Sequence, residues 1–346
     1  ACAYYLGQLG ATVIKVEAPG RGDAMRHRGG SDADSAADGL STAFQTQAAG
    51  KRYLALDVDC PEGRDVFERL LGSADVLVEN HRPETLERLK LTEHHTRAIN
   101  PRLVHCAMTG YGRQNAMANA PAYDVNIQAI SGLMALTGTQ QSGPTRTGAP
   151  IIDYATGMAA ALGVMSALMT RSQSGTGSFV DVSMLETAFS LMASTIADYQ
   201  LTGTEPRPRG NAANSRSPSA GTFPCRDGHI SLGVNEEAQF NALAVALGRS
   251  DWLLNTQFCT AESRSKHREK LTDELSTVLL TKSASEWEDI LLAVGVPCAR
   301  LRSLGEALDL APAQDRCFVT RGPGGFSGLP FLLKTHQSDV APGRLG

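Results

Sequence analysis

Asp153 stands at the head of the most apolar run in the chain, directly before residues 154–171 (YATGMAAALGVMSALMTR). A carboxylate at that place can do two things. It can cap a helix by accepting orphan backbone N–H groups, or the positive end of the helix dipole can keep it ionised and fit to act as a nucleophile. The residues alone leave both open. Asn80-His81-Arg82-Pro83 follows an apolar run and opens a helix, setting an amide beside a guanidinium. With Arg88 further along and Lys51-Arg52 ahead of another strand, these donors could meet a phosphate, or form an ordinary solvated loop. Tyr123-Asp124 lies at a third helix start, where a tyrosine either packs half-buried or offers its polar tip. His94-His95 borders a polar helix and is given no role.

These side chains must be held by an alternating pattern of elements. Residues 11–17, 52–58, 74–79 and 102–108 read as strands, and 61–71 and 83–89 as helices, the first with Pro61 and Glu62 in its opening turn. Such βαβ alternation predicts a parallel sheet with helices on both faces. Ligands of open sheets gather beyond the carboxyl ends of the strands, which here are 17–19, 57–58, 79–82 and 109–110. Neither G-x-G-x-x-G nor G-x-x-x-x-G-K-[ST] is present; at Gly322-Pro-Gly-Gly-Phe-Ser the sixth position is Ser327. Ordinary dinucleotide or ATP chemistry is therefore demoted.

The middle of the chain reads as a buried, small-residue helix over 154–171, a strand over 178–182 and a helix over 185–201. A Pro/Arg/Asn/Ser-rich stretch near 204–219 reads as linker. A strand over 228–234 and helices over 239–247, 267–280 and 285–294 follow. The expected organisation is a large α/β domain (1–203), a linker (204–224), a smaller α+β domain (225–320) and a return segment (321–346).

The 346 residues carry 36 acidic and 32 basic side chains, a net charge of −4, and 42% are hydrophobic. That near balance, without basic runs, argues against nucleic acid or a membrane surface as the partner. Seven cysteines are scattered without C-x-x-C or H-x-x-x-H spacing, so neither a metal site nor a disulfide framework is expected. Free buried thiols and a cytoplasmic location fit better. Residues 1–10 (ACAYYLGQLG) read as the end of an amphipathic helix.

The strings 10–17 (GATVIKVE), 51–57 (KRYLALD), 61–63 (PEG), 74–83 (ADVLVENHRP) and 99–103 (INPRL) occur here in the order found in one family. Tyr123-Asp124 to Gly132-Leu133, 148–153 (GAPIID), 175–177 (GTG), 180–183 (VDVS), Gly210-Asn211, Asp227-Gly228 and 295–297 (GVP) extend the match over nearly the whole chain. Each string is weak alone, but their succession is specific. The chain resembles the class III CoA-transferase family, which includes formyl-CoA and carnitine CoA-transferases and the α-methylacyl-CoA racemases.

The resemblance implies a Rossmann-like parallel sheet, an intertwined homodimer, and no prosthetic group, with coenzyme A and acyl-CoA as substrates. It implies Asp153 as catalytic aspartate, Leu56, Asn80, Arg82 and Arg88 as CoA contacts, and Tyr123 and Asp124 beside the thioester. CoA would pass from an acyl-CoA to a free carboxylic acid through anhydride and aspartyl-CoA thioester intermediates. The alternatives are an α-methylacyl-CoA epimerase and a CoA-binding protein without turnover.

Departures from the family pattern sharpen the choice. Racemase relatives commonly carry histidine where this chain has Tyr123. A phenol with an ordinary pKa of ~10 is a poor base for an α-proton, which favours transfer. Basic residues found in some transferases are replaced by Ala18 and Asp59, and the glycine run of the formyl-CoA enzyme has no counterpart between Gly210 and Pro224. Relatives also extend beyond both ends of the matched region, so a body lacking its first strand and closing segment is expected.

Overall fold

The computed structural model describes residues 1–28, 37–48 and 50–312, together with the backbone of 321–322 and 325–326. They form two compact units. The first takes Ala1–Leu136 and Pro144–Pro206, the second Thr137–Gly143 and Arg207–Ala311. Strand β8 (Ala220–Pro224) falls in the stretch read as linker. Its backbone is taken up by pairing with β9 (His229–Gly233), which a search for turn residues alone misses. Of the expected return segment, all but the two-residue strands at 321–322 and 325–326 lies outside the described residues, as does Cys317.

The first unit opens with helix α1 (Cys2–Gln8), strand β1 (Val13–Glu17), helix α2 (Thr42–Ala48) and strand β2 (Lys51–Ala55). Strands β1 and β2 pair in parallel from Val13↔Lys51 to Glu17↔Ala55. There follow α3 (Pro61–Ser73), β3 (Val76–Glu79), α4 (Pro83–Arg88), α5 (Glu93–Ile99), β4 (Val104–Thr109), α6 (Asp124–Ile130) and α7 (Leu133–Leu136). Beyond the two-residue strands β5 (Gly138–Thr139) and β6 (Gly143–Pro144) come α8 (Ile151–Ser174), β7 (Phe179–Ser183), α9 (Met184–Leu191) and α10 (Ala193–Thr202). The single helix expected over 185–201 is thus two, with Met192 leaving helical geometry between them.

Strands β3, β4 and β7 form a parallel sheet with β4 in the centre. Strand side chains alternate between faces, and this sheet divides by polarity. Val76, Val78, Val104, Cys106, Met108, Val180 and Val182 pack with Tyr4, Tyr5 and Leu6 of α1 and with α8. The opposite face carries Leu77, Glu79, His105, Thr109, Asp181 and Ser183; Leu77 joins Phe67, Leu71, Leu86 and Leu89 of α3 and α4 in a second cluster.

Helix α8 was expected to be buried, and only one side of it is. Thr156, Gly157, Ala160, Ala161, Val164 and Ala167 face inward. The close approach needs their small size: a Cβ added at Gly163 would lie 2.8 Å from Cγ1 of Val180 on β7. The larger Met158, Leu162, Met165 and Met169 face outward and are 41–73% exposed. Helix α8 is long and apolar enough to cross a membrane by length and composition, yet its small-residue side packs on a sheet.

The second unit is an antiparallel sheet, β8 and β9 with β10 (Cys298–Arg300). Its core gathers Phe240, Trp252, Phe258, Leu271, Leu275, Leu279, Trp287 and Leu291. Ser283 and Ser303 cap the helices that follow them, with Glu286 and Glu306 returning bonds to the cap. Set against the expectation of free buried thiols, Cys2, Cys106 and Cys225 are free and buried, Cys60 and Cys298 are half-buried, and Cys259 is exposed.

Candidate active site

The long helix decides where Asp153 stands. Helix α8 starts at Ile151 after Pro150, so Asp153 is its third residue and not its cap. The capping is done from α6: Oδ2 of Asp124 accepts the N–H groups of Ile152 at 2.8 Å and of Asp153 at 3.2 Å. Its other oxygen accepts from Nε2 of Gln128 at 2.5 Å, and Oε1 of Gln128 accepts the N–H of Thr147 at 3.0 Å. Asp124 is buried and Gln128 fully so. Asp124, expected beside the thioester, is a buried anchor with one oxygen committed to the helix start and the other to Gln128. Asp153, relieved of capping, is open to solvent as a residue, with its carboxyl partly enclosed by neighbouring chain.

The dipole argument predicts an easily ionised Asp153. Instead the surrounding chain desolvates its carboxyl, and the negative charge of Asp124 adds to the effect, so its pKa is raised. Asp124 itself sits on the positive helix end that the argument had reserved for Asp153.

The opposite end of α8 fixes which sheet edge Asp153 occupies. The guanidinium of Arg171, near the C-terminus, pairs with Asp75 at 2.8 Å and donates to the carbonyl of Arg102 at 3.0 Å. Those residues precede β3 and β4, so α8 ends at the amino edge of the sheet. The eighteen residues from Asp153 to Arg171 span roughly 27 Å of helix, while the six residues of β4 span about 20 Å. Asp153 therefore lies at, and somewhat beyond, the carboxyl edge.

Asn80, His81 and Arg82 share that edge, immediately after β3, and all three are exposed. Arg82 precedes Pro83 at the head of α4 and lies 3.8 Å from Glu84. Arg88 meets Asp59 at 2.6 Å with both side chains largely exposed, so the acidic residue that replaces a basic one partly neutralises this guanidinium. Leu56 donates its N–H to the carbonyl of Glu17 at 2.9 Å and packs against the Phe67–Leu86 cluster. Tyr123 is 71% exposed, and its N–H donates to Oδ1 of Asn126 at 3.2 Å.

Lys51 and Arg52 do not join this group. They begin β2 and so lie at the amino end of a separate two-stranded sheet. Lys51 is buried, which pushes its pKa down to about 8. At the carboxyl ends of β1 and β2 a cavity of about 360 Å³ is lined by Glu17, Arg21, Arg26, His27 and Tyr53 among others. Arg26 is fixed there by Glu17 at 2.8 Å and by the ring of Phe44, 4.2 Å from its guanidinium carbon. Sequence reasoning missed Arg26 and Gln128. The spacing of Asp124 and Gln128, one helical turn apart, was the available signal for the second.

A parallel α/β unit here carries a carboxylate free of helix capping and exposed amide and guanidinium groups at one sheet edge, a set of groups suited to an anionic ligand. Comparison with known proteins resolves the class. The model of CoA-transferase family III matches residues 1–342. A succinyl-CoA–D-citramalate CoA-transferase of Chloroflexus aurantiacus is 33% identical over 89% of this chain and 75% of its own length. A succinate–glutarate CoA-transferase of Agrobacterium fabrum is 31% identical over 98% of this chain and 82% of its own. A crystal structure of a CaiB/BaiF family protein from Brucella suis has a TM-score of 0.85 at 28% identity, covering 98% of this chain and 89% of that one. The chain belongs to CoA-transferase family III, and is a class III CoA-transferase whose substrate class is the CoA thioesters.

Proposed function

We propose that this enzyme moves CoA between an acyl-CoA and a free carboxylic acid through covalent intermediates on Asp153. The single observation that carries the reading is that Asp124 caps α8, leaving the Asp153 carboxylate free at the carboxyl edge of the sheet. An oxygen of Asp153 attacks the thioester carbonyl; a C–O bond forms, the C–S bond breaks, and CoA thiolate leaves a mixed anhydride. The thiolate then attacks the aspartyl carbonyl, releasing the donor's carboxylate and leaving an aspartyl-CoA thioester. The acceptor carboxylate repeats the two steps in reverse, regenerating Asp153. No proton or electron is gained or lost over the cycle.

Asn80, Arg82 and Arg88 serve as CoA contacts, with Leu56 on the apolar side and Tyr123 beside the thioester, while Asp124 positions the nucleophile's helix. The similar proteins named above act on succinyl-CoA, citramalate or glutarate, so dicarboxylic acids are the substrates to test first. The exposure of Tyr123 gives no support to a proton-abstracting epimerase. The outward Met158, Leu162, Met165 and Met169 follow a helical stripe and support an intertwined homodimer, in which α8 is a seam. A Rossmann-like large domain and a cytoplasmic location complete the reading.

The test is mass spectrometry after incubation with succinyl-CoA and related acyl-CoAs. A CoA adduct is expected on the peptide containing Asp153, together with a new acyl-CoA when glutarate or citramalate is added. Asp153→Ala is expected to abolish both, and full transfer by that variant would overturn the mechanism. CoA binding with no transfer to any acid would leave a binding protein.

A further inference from the structure

Glu79 ends β3 with a side chain only 6% exposed, on the polar face of the sheet. A carboxylate is expensive to bury. Its surroundings explain its use. Oε2 accepts the N–H of His81 at 2.6 Å, turning the chain directly into the exposed Asn80–Arg82 segment. Oε1 faces two cations or potential cations from the next strand and the loop after it: Nε2 of His105 at 3.5 Å and Nη1 of Arg113 at 3.8 Å. None of these three atoms has a hydrogen-bond partner among the described residues, so the Arg113 guanidinium attracts Oε1 by charge and the His105 ring packs beside it. His105 is fixed in turn by Oγ1 of Thr96, 3.0 Å from its Nδ1, and by the ring of Phe179, 4.8 Å away; Arg113 lies 5.3 Å from the same ring.

We infer that Glu79 is a positioning residue for CoA binding, acting through the His81 amide to fix the direction of the Asn80–Arg82 segment, with His105 and Arg113 locking its carboxylate. The inference rests on the reading of Asn80 and Arg82 as CoA contacts. Loss of Glu79 should weaken capture of acyl-CoA and leave the chemistry on Asp153 intact.

The experiment measures KM for succinyl-CoA, kcat and CoA affinity by calorimetry in Glu79→Ala, Glu79→Gln, Asn80→Ala, Arg82→Ala and the double variant Glu79→Ala/Asn80→Ala. Glu79→Ala is expected to raise KM about tenfold, the scale of one charge-assisted hydrogen bond, with kcat nearly unchanged. Glu79→Gln keeps an acceptor at the same reach and is expected to restore most of the affinity. The double variant should be little worse than either single one, because both act through one segment. Wild-type KM in Glu79→Ala, a fall in kcat alone, no rescue by glutamine, or full additivity with Asn80→Ala would each overturn the inference. Unchanged CoA affinity in both Asn80→Ala and Arg82→Ala would instead remove the CoA contacts themselves, and this inference with them. Should Glu79→Ala not fold, Glu79→Gln combined with Arg113→Met carries the test: a raised KM supports the inference and an unchanged KM overturns it.

Discussion

Asp124 takes the capping task that the sequence leaves open for Asp153, which on the proposed mechanism leaves Asp153 to act as the nucleophile. The buried Asp124 accepts the amides of α8, and its charge adds to the desolvation that chiefly raises the pKa of Asp153. A nucleophile must be ionised, so the acid limb of the kcat/KM profile is expected above the ordinary aspartate value of 3.8. Removing a neighbouring negative charge favours the ionised form. Asp124→Asn should therefore move the acid limb toward lower pH while reducing kcat, because an amide keeps only one of the two oxygens that accept from the helix start and from Gln128. A limb that stays in place, read from pH–rate profiles of both proteins, would show that Asp124 does not set the charge of Asp153.

At the scale of elements, strand polarity sorts the basic residues. Lys51 and Arg52 stand at the amino end of their strand, whereas open parallel sheets gather ligands at the other end. Burial of Lys51 lowers its pKa to about 8 in the folded chain. Between that value and the ordinary 10.5 the unfolded state binds more protons, so this residue makes stability rise with pH across the window. Lys51→Met is expected to raise Tm at pH 7, with the gain shrinking by pH 10. Thermal melts at the two pH values check it, and a loss of stability at pH 7 would mean that the ammonium has a favourable partner. The expected strands were legible because β-branched runs alternate with turn residues, whereas the break of 185–201 at Met192 leaves no mark in hydrophobic spacing.

At the scale of the whole molecule, the outward face of α8 is the feature most in need of a partner. Contiguous exposed apolar side chains mark interaction surfaces more often than chance solvent contacts. If α8 is a seam between two copies, Leu162→Glu with Met169→Glu should yield monomers in sedimentation or light scattering and a sharp loss of transfer activity. A dimer of unchanged mass would place the seam elsewhere. Family membership was legible because many short strings recur in one order across the chain, and each unit's core follows from its own apolar pattern.

The sequence by itself determined the alternation of strands and helices, the carboxyl ends of those strands, and the candidate side chains placed there. Those follow from local spacing and residue type. Only the tertiary structure decided that Asp124 caps the helix of Asp153 across 29 positions of sequence, that α8 buries its small residues and exposes its large ones, and that Glu79 is held between His105 and Arg113. Each of those depends on which distant groups meet when the sheet closes, and a hydrogen bond between remote residues has no period in the chain to announce it.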